Sequence, residues 1–217
     1  MEISIFFFFA VAVCIFAFVV GYVLGRLHRV SAVNHGEALV RRALLQRFSG
    51  EGYHLLNNLT LPITNGTTQI DHVLVSTRGI FIIEVKHYSG WIFANENSPK
   101  WTQVIFKVKN SFQNPLRQNF LHFKTVENIL DFLPPEIIRP IVVFTGTAEF
   151  KTKRPKGVLL LDELNDYIGT YSDNSISINR VAFSVGRLEC ARYQITEQTD
   201  VDHQRHLERK FGSDRAD

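Results

Sequence analysis

Residues 68–87 read TQIDHVLVSTRGIFIIEVKH, and these twenty positions decide the architecture. Two runs rich in Val and Ile, 68–76 and 80–87, flank Thr77-Arg78-Gly79, the pattern of a β-hairpin. The second run is apolar at every position up to Glu84, as a central strand covered on both faces requires. Glu84 and Lys86 stand two apart, so their side chains leave one face of the strand roughly 7 Å from each other. A turn at Arg78-Gly79, or a four-residue loop from Thr77 to Ile80, sets Asp71 opposite Lys86 and Val73 opposite Glu84, with Asp71 diagonal to Glu84. A slip of one residue would send Asp71 to the other face.

Charged groups at the ends of apolar strands are costly to bury unless they pair or coordinate a cation. Two chemistries fit the trio. Convergent carboxylates suit a hard divalent cation such as Mg²⁺, which binds through one or two carboxylates, water and substrate phosphate. Such an ion lowers the pKa of bound water and offsets phosphoryl charge, while a lysine beside it orients the attacking water or stabilises the transition state. Alternatively, Asp71 and Lys86 form a cross-strand ion pair and Glu84 is solvated.

Outward from the hairpin, residues 34–48 carry apolar residues at 39, 40, 43, 44 and 48, a helical stripe. Asn34 followed by Glu37 has the spacing of a capping box, which gives Glu37 a structural as well as a chemical reading. A strand is predicted over 53–61, closed by Pro62, and a second hairpin over 91–93 and 101–106. Asn114-Pro115 opens a helix with Leu116, Phe120, Phe123, Val126 or Glu127, and Leu130 at helical spacing. Strands over 141–144 and 158–161 and helices over 162–168 and 178–193 follow, with a polar tail from Thr196. Lys151 to Lys156 (KTKRPK) is a basic loop fit to track phosphates or simply to be solvated. Lys100, Lys107 and Lys109 near Trp101 and Phe106 suggest either a base-stacking groove or an edge strand whose aromatics fill a core. Walker, dinucleotide-fingerprint and nucleophile-elbow motifs do not occur.

The remaining strong signal is N-terminal. Residues 5–24, IFFFFAVAVCIFAFVVGYVL, are uncharged and match the hydrocarbon thickness of a bilayer at about 30 Å. Glu2 ahead of the run and Arg26, His28 and Arg29 after it favour a single-pass anchor over a cleaved signal peptide. The basic flank places the following chain in the cytoplasm, at the cell membrane. Of the 217 residues, 24 are Lys or Arg and 21 are Asp or Glu, a formal +3. That mild basicity permits a polyanionic partner without requiring one. Two cysteines exclude a disulfide framework and a Cys-rich zinc site. The predicted organisation is an anchor and flank over 1–30, a domain over 34–150, and an extension over 151–217 that completes it. No oligomeric state follows.

Gly36-Glu37, Gln69-Ile70-Asp71-His72, Gly79-Ile80-Phe81 leading to Ile83-Glu84-Val85-Lys86, Gly90, Trp101, and Asn114-Pro115 with Gln118 together resemble the nuclease-related domain (NERD). That domain belongs to the PD-(D/E)xK, restriction-endonuclease-like superfamily. The resemblance covers roughly residues 34–150 and implies an α/β (α+β) fold, a mixed central sheet flanked by helices. It also implies dependence on Mg²⁺ or Mn²⁺ and cleavage of a nucleic-acid backbone, with DNA favoured over RNA. Asp71 and Glu84 become metal ligands by this likeness, Lys86 the catalytic lysine, Glu37 an acidic residue reaching the metal from the first helix, and Gln118 a support from the later one. Ile70 stands where the superfamily's naming proline would. A non-catalytic nucleic-acid or protein-binding module on the same fold is the alternative.

Overall fold

In the computed structural model, residues 15–16, 18–22 and 35–193 are described. Helix α1 occupies 35–47, as its apolar stripe predicts, and turns Val40 and Leu44 inward. Strands β1 (Tyr53–Ile63), β2 (Gly66–Ser76) and β3 (Gly79–His87) form an antiparallel meander. Strand β1 continues through Pro62 because it lies at the sheet edge, where a missing N–H costs no ladder bond. Strands β4 (Gly90–Phe93), β5 (Lys100–Ile105) and β6 (Val108–Gln113) follow, then α2 (Pro115–Ile129) and β7 (Ile138–Thr145). The chain continues through β8 (Ala148–Phe150), β9 (Val158–Leu160), α3 (Leu164–Gly169) and α4 (Ile178–Ala191).

The main sheet runs β1-β2-β3-β7-β9, antiparallel on one side of β3 and parallel on the other. It is the mixed central sheet flanked by helices that the sequence implies. On one face α1 and α3 cover Leu74, Phe81, Ile83 and Ile141. On the other, Val126 and Leu130 at the end of α2 join Val181 and Leu188 of α4 over Val73, Val75, Ile80 and Ile82. A second sheet, β6-β5-β4-β8, packs Ile92 and Trp101 against Val142, Phe144 and Val158. The segment after residue 151 therefore shares all three cores.

The β2–β3 turn is Thr77-Arg78, closed by Ser76 paired with Gly79, and His72 faces Ile83. This corrects the expected register by two residues, so that the ladder, which ends at His72 and Ile83, points Asp71 toward Glu84 and not Lys86. Because the shift is even, the acidic residues and Lys86 keep a common side. Gly79 serves the turn with φ +129, and a side chain there would collide with the Ile137 carbonyl.

Strand β6 was not expected. It arises from a tight turn at Phe106-Lys107, where Phe106 takes φ 54, outside ordinary strand geometry. The predicted span over 5–24 lies mostly outside the described residues, as do the Asn34 cap and the polar tail. Residues 15–16 and 18–22 are helical, and no helix among the described residues is long and apolar enough to cross a membrane.

Candidate active site

The site begins with a distortion of the sheet. Asn58 of β1 takes φ 49 between the ladder pairs Asn57–His72 and Leu59–Ile70. Across that break the regular alternation fails: Ile70 and Val73, three apart, both enter the α2–α4 core, and so do Leu56 and Leu59. Asp71 sits at the kink. Its Oδ2 accepts the Val85 backbone N–H at 2.7 Å, so a carboxylate takes the place of a ladder carbonyl where β2 and β3 part.

Glu84 is 2% exposed. Its Oε1 accepts from Lys86 Nζ at 2.6 Å, while Oε2 is buried with no hydrogen-bond partner among the described residues and lies 3.6 Å from His122 Nδ1. Lys86 Nζ also donates to Gln118 Oε1 at 3.1 Å, which fixes the ammonium between strand and helix. Glu37 comes from the opposite side, on α1. Two contacts place it. Gly36 lets the helix approach so closely that a Cβ would lie 2.8 Å from both His87 Cβ and Thr145 Oγ1. The Glu37 carbonyl lies 3.2 Å from His72 Nε2, next in chain to Asp71.

The electrostatics follow from three carboxyls around one lysine. Burial and then the charge of Glu84 raise the Asp71 pKa well above the ordinary range, against the opposing pull of the Val85 amide and Lys86. Glu37 is raised by burial and by Glu84. Burial works against the charge on Lys86, but Glu84 and Asp71 more than offset it, so its pKa is raised. The cluster holds more negative charge than Lys86 neutralises. It therefore retains a proton or accepts a cation.

All five expected site residues, Glu37, Asp71, Glu84, Lys86 and Gln118, are brought into this region. Two further polar residues were missed. Asn119, 1% exposed, donates to the carbonyls of Ile82 and Ile141 at 3.2 and 2.8 Å, spanning β3 and β7. His122 is equally buried against Glu84. The predicted apolar stripe of α2 holds at Leu116, Phe123, Val126 and Leu130, which pack on the cores, and fails at Phe120, which is exposed; polar Asn119, His122 and Thr125 complete the buried face. The available signal was polar, in the helical spacing of Asn119, His122 and Thr125.

The chain's similarities agree with this arrangement. The family model of the nuclease-related domain matches residues 32–145, just over half of the chain. An uncharacterised protein of Bacillus anthracis is 33% identical over 181 residues, which cover 81% of this chain and 84% of that protein. The chain belongs to the nuclease-related domain family. Within the NERD match fall α1, the hairpin, the second sheet up to β6, α2 and all of β7, and hence every residue of the cluster. No solved structure matches the chain.

Among the described residues, no group of three or more His, Cys, Asp and Glu side chains is arranged to hold a metal ion. A hard cation does fit the donor chemistry, because it needs only one or two carboxylates beside water and substrate oxygens. The buried Glu84 Oε2 without a hydrogen bond and the excess negative charge support that fit.

The other expected features resolve individually. Trp101 is 1% exposed and donates its Nε1–H to the Asn95 carbonyl at 2.8 Å, so it is core and cannot stack bases. Phe106 is 97% exposed on the β5–β6 turn. In the basic loop, Lys151 pairs with Glu149 and Arg154 with Glu163 at 2.6 Å.

Proposed function

We propose that this NERD chain is a membrane-anchored, Mg²⁺-dependent nuclease that hydrolyses phosphodiester bonds, with DNA favoured over RNA. The observation that carries the reading is the convergence of Asp71, Glu84, Glu37 and Lys86 at the kink, with carboxyl pKa values raised by burial and mutual charge. Asp71 and Glu84 would hold the cation, with Glu37 adding negative charge from α1. When bound, the ion supplies an activated water and offsets charge on the phosphate. Mn²⁺ suits the same oxygen donors. Lys86, fixed by Glu84 and Gln118, presents a point charge to the phosphoryl oxygens as one P–O bond forms to water and another breaks.

A specific observation favours the second reading, a non-catalytic binding module. Two carboxylate oxygens are already engaged, Glu84 Oε1 by Lys86 and Asp71 Oδ2 by the Val85 amide. Cleavage assays separate the two. The nuclease reading expects full-length protein to cut DNA or RNA with Mg²⁺ or Mn²⁺, and Glu84→Gln or Lys86→Ala to lower the rate by at least about a hundredfold without loss of fold. Activity unchanged in both variants would remove these residues from the chemistry.

The anchor is part of the same proposal and rests on the uncharged run 5–24 with its basic flank. Cys190, an exposed free thiol on α4, reports the side of the membrane. A membrane-impermeant maleimide should label it only after cells are permeabilised; labelling in intact cells would place the domain outside.

A further inference from the structure

The second sheet has an outer face that the hydrolytic site does not use. Trp91 and Phe93 on β4 point to the side opposite buried Ile92 and are 48% and 39% exposed. The register places them in a band with polar and charged neighbours: Trp91 pairs with Val104 and Phe93 with Thr102 on β5, which in turn oppose Lys109 and Ser111 on β6. Lys100 continues the same side of β5. From the other edge, Lys151 Nζ lies 4.8 Å from the Trp91 ring centroid. An acidic neighbour, Glu149, faces Trp91 on β8 and pairs with Lys151, an exposed ion pair that phosphate can exchange.

We propose that this face is a platform for single-stranded nucleic acid, with bases stacked on Trp91 and Phe93 and the backbone tracked by Lys100, Lys109 and Lys151. Exposed aromatics on a sheet flanked by lysines combine the two elements of sequence-tolerant single-strand binding, π-faces and positive charge. The spacing selects the single strand. The two rings are about 6.7 Å apart along β4, roughly twice the 3.4 Å rise of stacked bases, so two neighbouring bases fit only when unstacked. A duplex keeps its bases paired and hidden from such rings.

The position also fits. The platform's first three strands lie in the chain between Lys86 and Gln118, and Trp91 is five residues beyond Lys86, at most about 18 Å away. The choice of nucleic acid over another polyanion rests on the nuclease reading; the aromatic and basic face stands independently of it.

The chain has two tryptophans, and Trp101 is buried, so a base that stacks on the sheet can quench by contact only the Trp91 share of the tryptophan emission. Full-length protein in detergent would be titrated with a single-stranded oligo(dT) and with a matched duplex, in EDTA to prevent cleavage. Expected are quenching and salt-sensitive binding of the single strand, at least about fivefold weaker in Trp91→Ala and in Phe93→Ala, monitored by anisotropy of labelled oligonucleotide. Trp91→Phe should restore the affinity while losing the quenching. Cleavage with Mg²⁺ is scored separately on the same Trp91 and Phe93 variants, which separates this proposal from the nuclease reading: binding can stand where cleavage fails, and the reverse. Equal affinity of wild type and both alanine variants, or a preference for duplex, would overturn the platform. So would alanine variants that change only self-association, read by gel filtration, or only vesicle binding.

Discussion

At the scale of single residues, the site depends on groups kept in unfavourable electrostatic states. His72 is the clearest case: burial first, and then the nearby Arg41, lower its pKa to about 4, against the favourable Glu37 carbonyl. Its Nδ1 lies 2.8 Å from Asn57 Oδ1, so the neutral ring ties β1, β2 and α1 together beside Asp71. A base whose folded pKa lies below its unfolded value contributes no penalty at neutral pH. As pH falls from 6.5 to 4 the unfolded chain takes up a proton that the folded one refuses, and stability drops. The shift corresponds to about 3 kcal/mol at pH 4. The raised carboxyls, Asp71 and Glu37, act in the opposite sense, because the folded chain holds more protons than the unfolded one and loses stability as pH rises. Chemical denaturation of wild type and His72→Gln at pH 7 and pH 4 isolates the histidine. The stability difference between them should move by about 3 kcal/mol in the variant's favour at pH 4. A constant difference would mean that His72 titrates normally.

At the scale of elements, legibility in the sequence followed how local the determining physics was. Strand β3 was readable because it is apolar on both faces, and α2 began where Asn114-Pro115 said it would. Asn114 is fully buried, accepts from the Leu116 N–H at 2.9 Å and donates to the Ser98 carbonyl at 2.7 Å. The inward face of α2 was readable by hydrophobicity at Leu116, Phe123, Val126 and Leu130, but not at its polar positions. Asn119 faces the sheet because it satisfies two strand carbonyls, and His122 because it lies against Glu84, so the apolar template chose Phe120 instead. The two-residue register error had a different origin. Thr77-Arg78 and Arg78-Gly79 are both plausible two-residue turns, and the choice is fixed by packing, with Ile137 and Arg139 crowding Gly79. The parity of the strand spared the site from that error. Nothing local announced the kink, since Asn58 is unremarkable until its positive φ is seen.

At the scale of the whole molecule, the acidic cluster lies where a central sheet, two helices and a second sheet meet. Chain order explains the convergence. Asp71 and Glu84 come from one hairpin, Glu37 precedes it, and β4 to β6 are inserted between Lys86 and the helix that carries Gln118. One excursion of the chain thus supplies both a support for the lysine and the outward-facing aromatic sheet. A mild positive charge over the chain suits a polyanion approaching an acidic site only if something at that site offsets the carboxylates. That requirement makes the cation the central claim. It is tested most directly by soaking crystals of the protein with Mn²⁺ and measuring anomalous diffraction. The account predicts a peak between Asp71 and Glu84, with Glu37 facing it. No peak there, with Lys86 still paired to Glu84 and the Val85 amide still on Asp71, would contradict it and leave the cluster an ion-pair network.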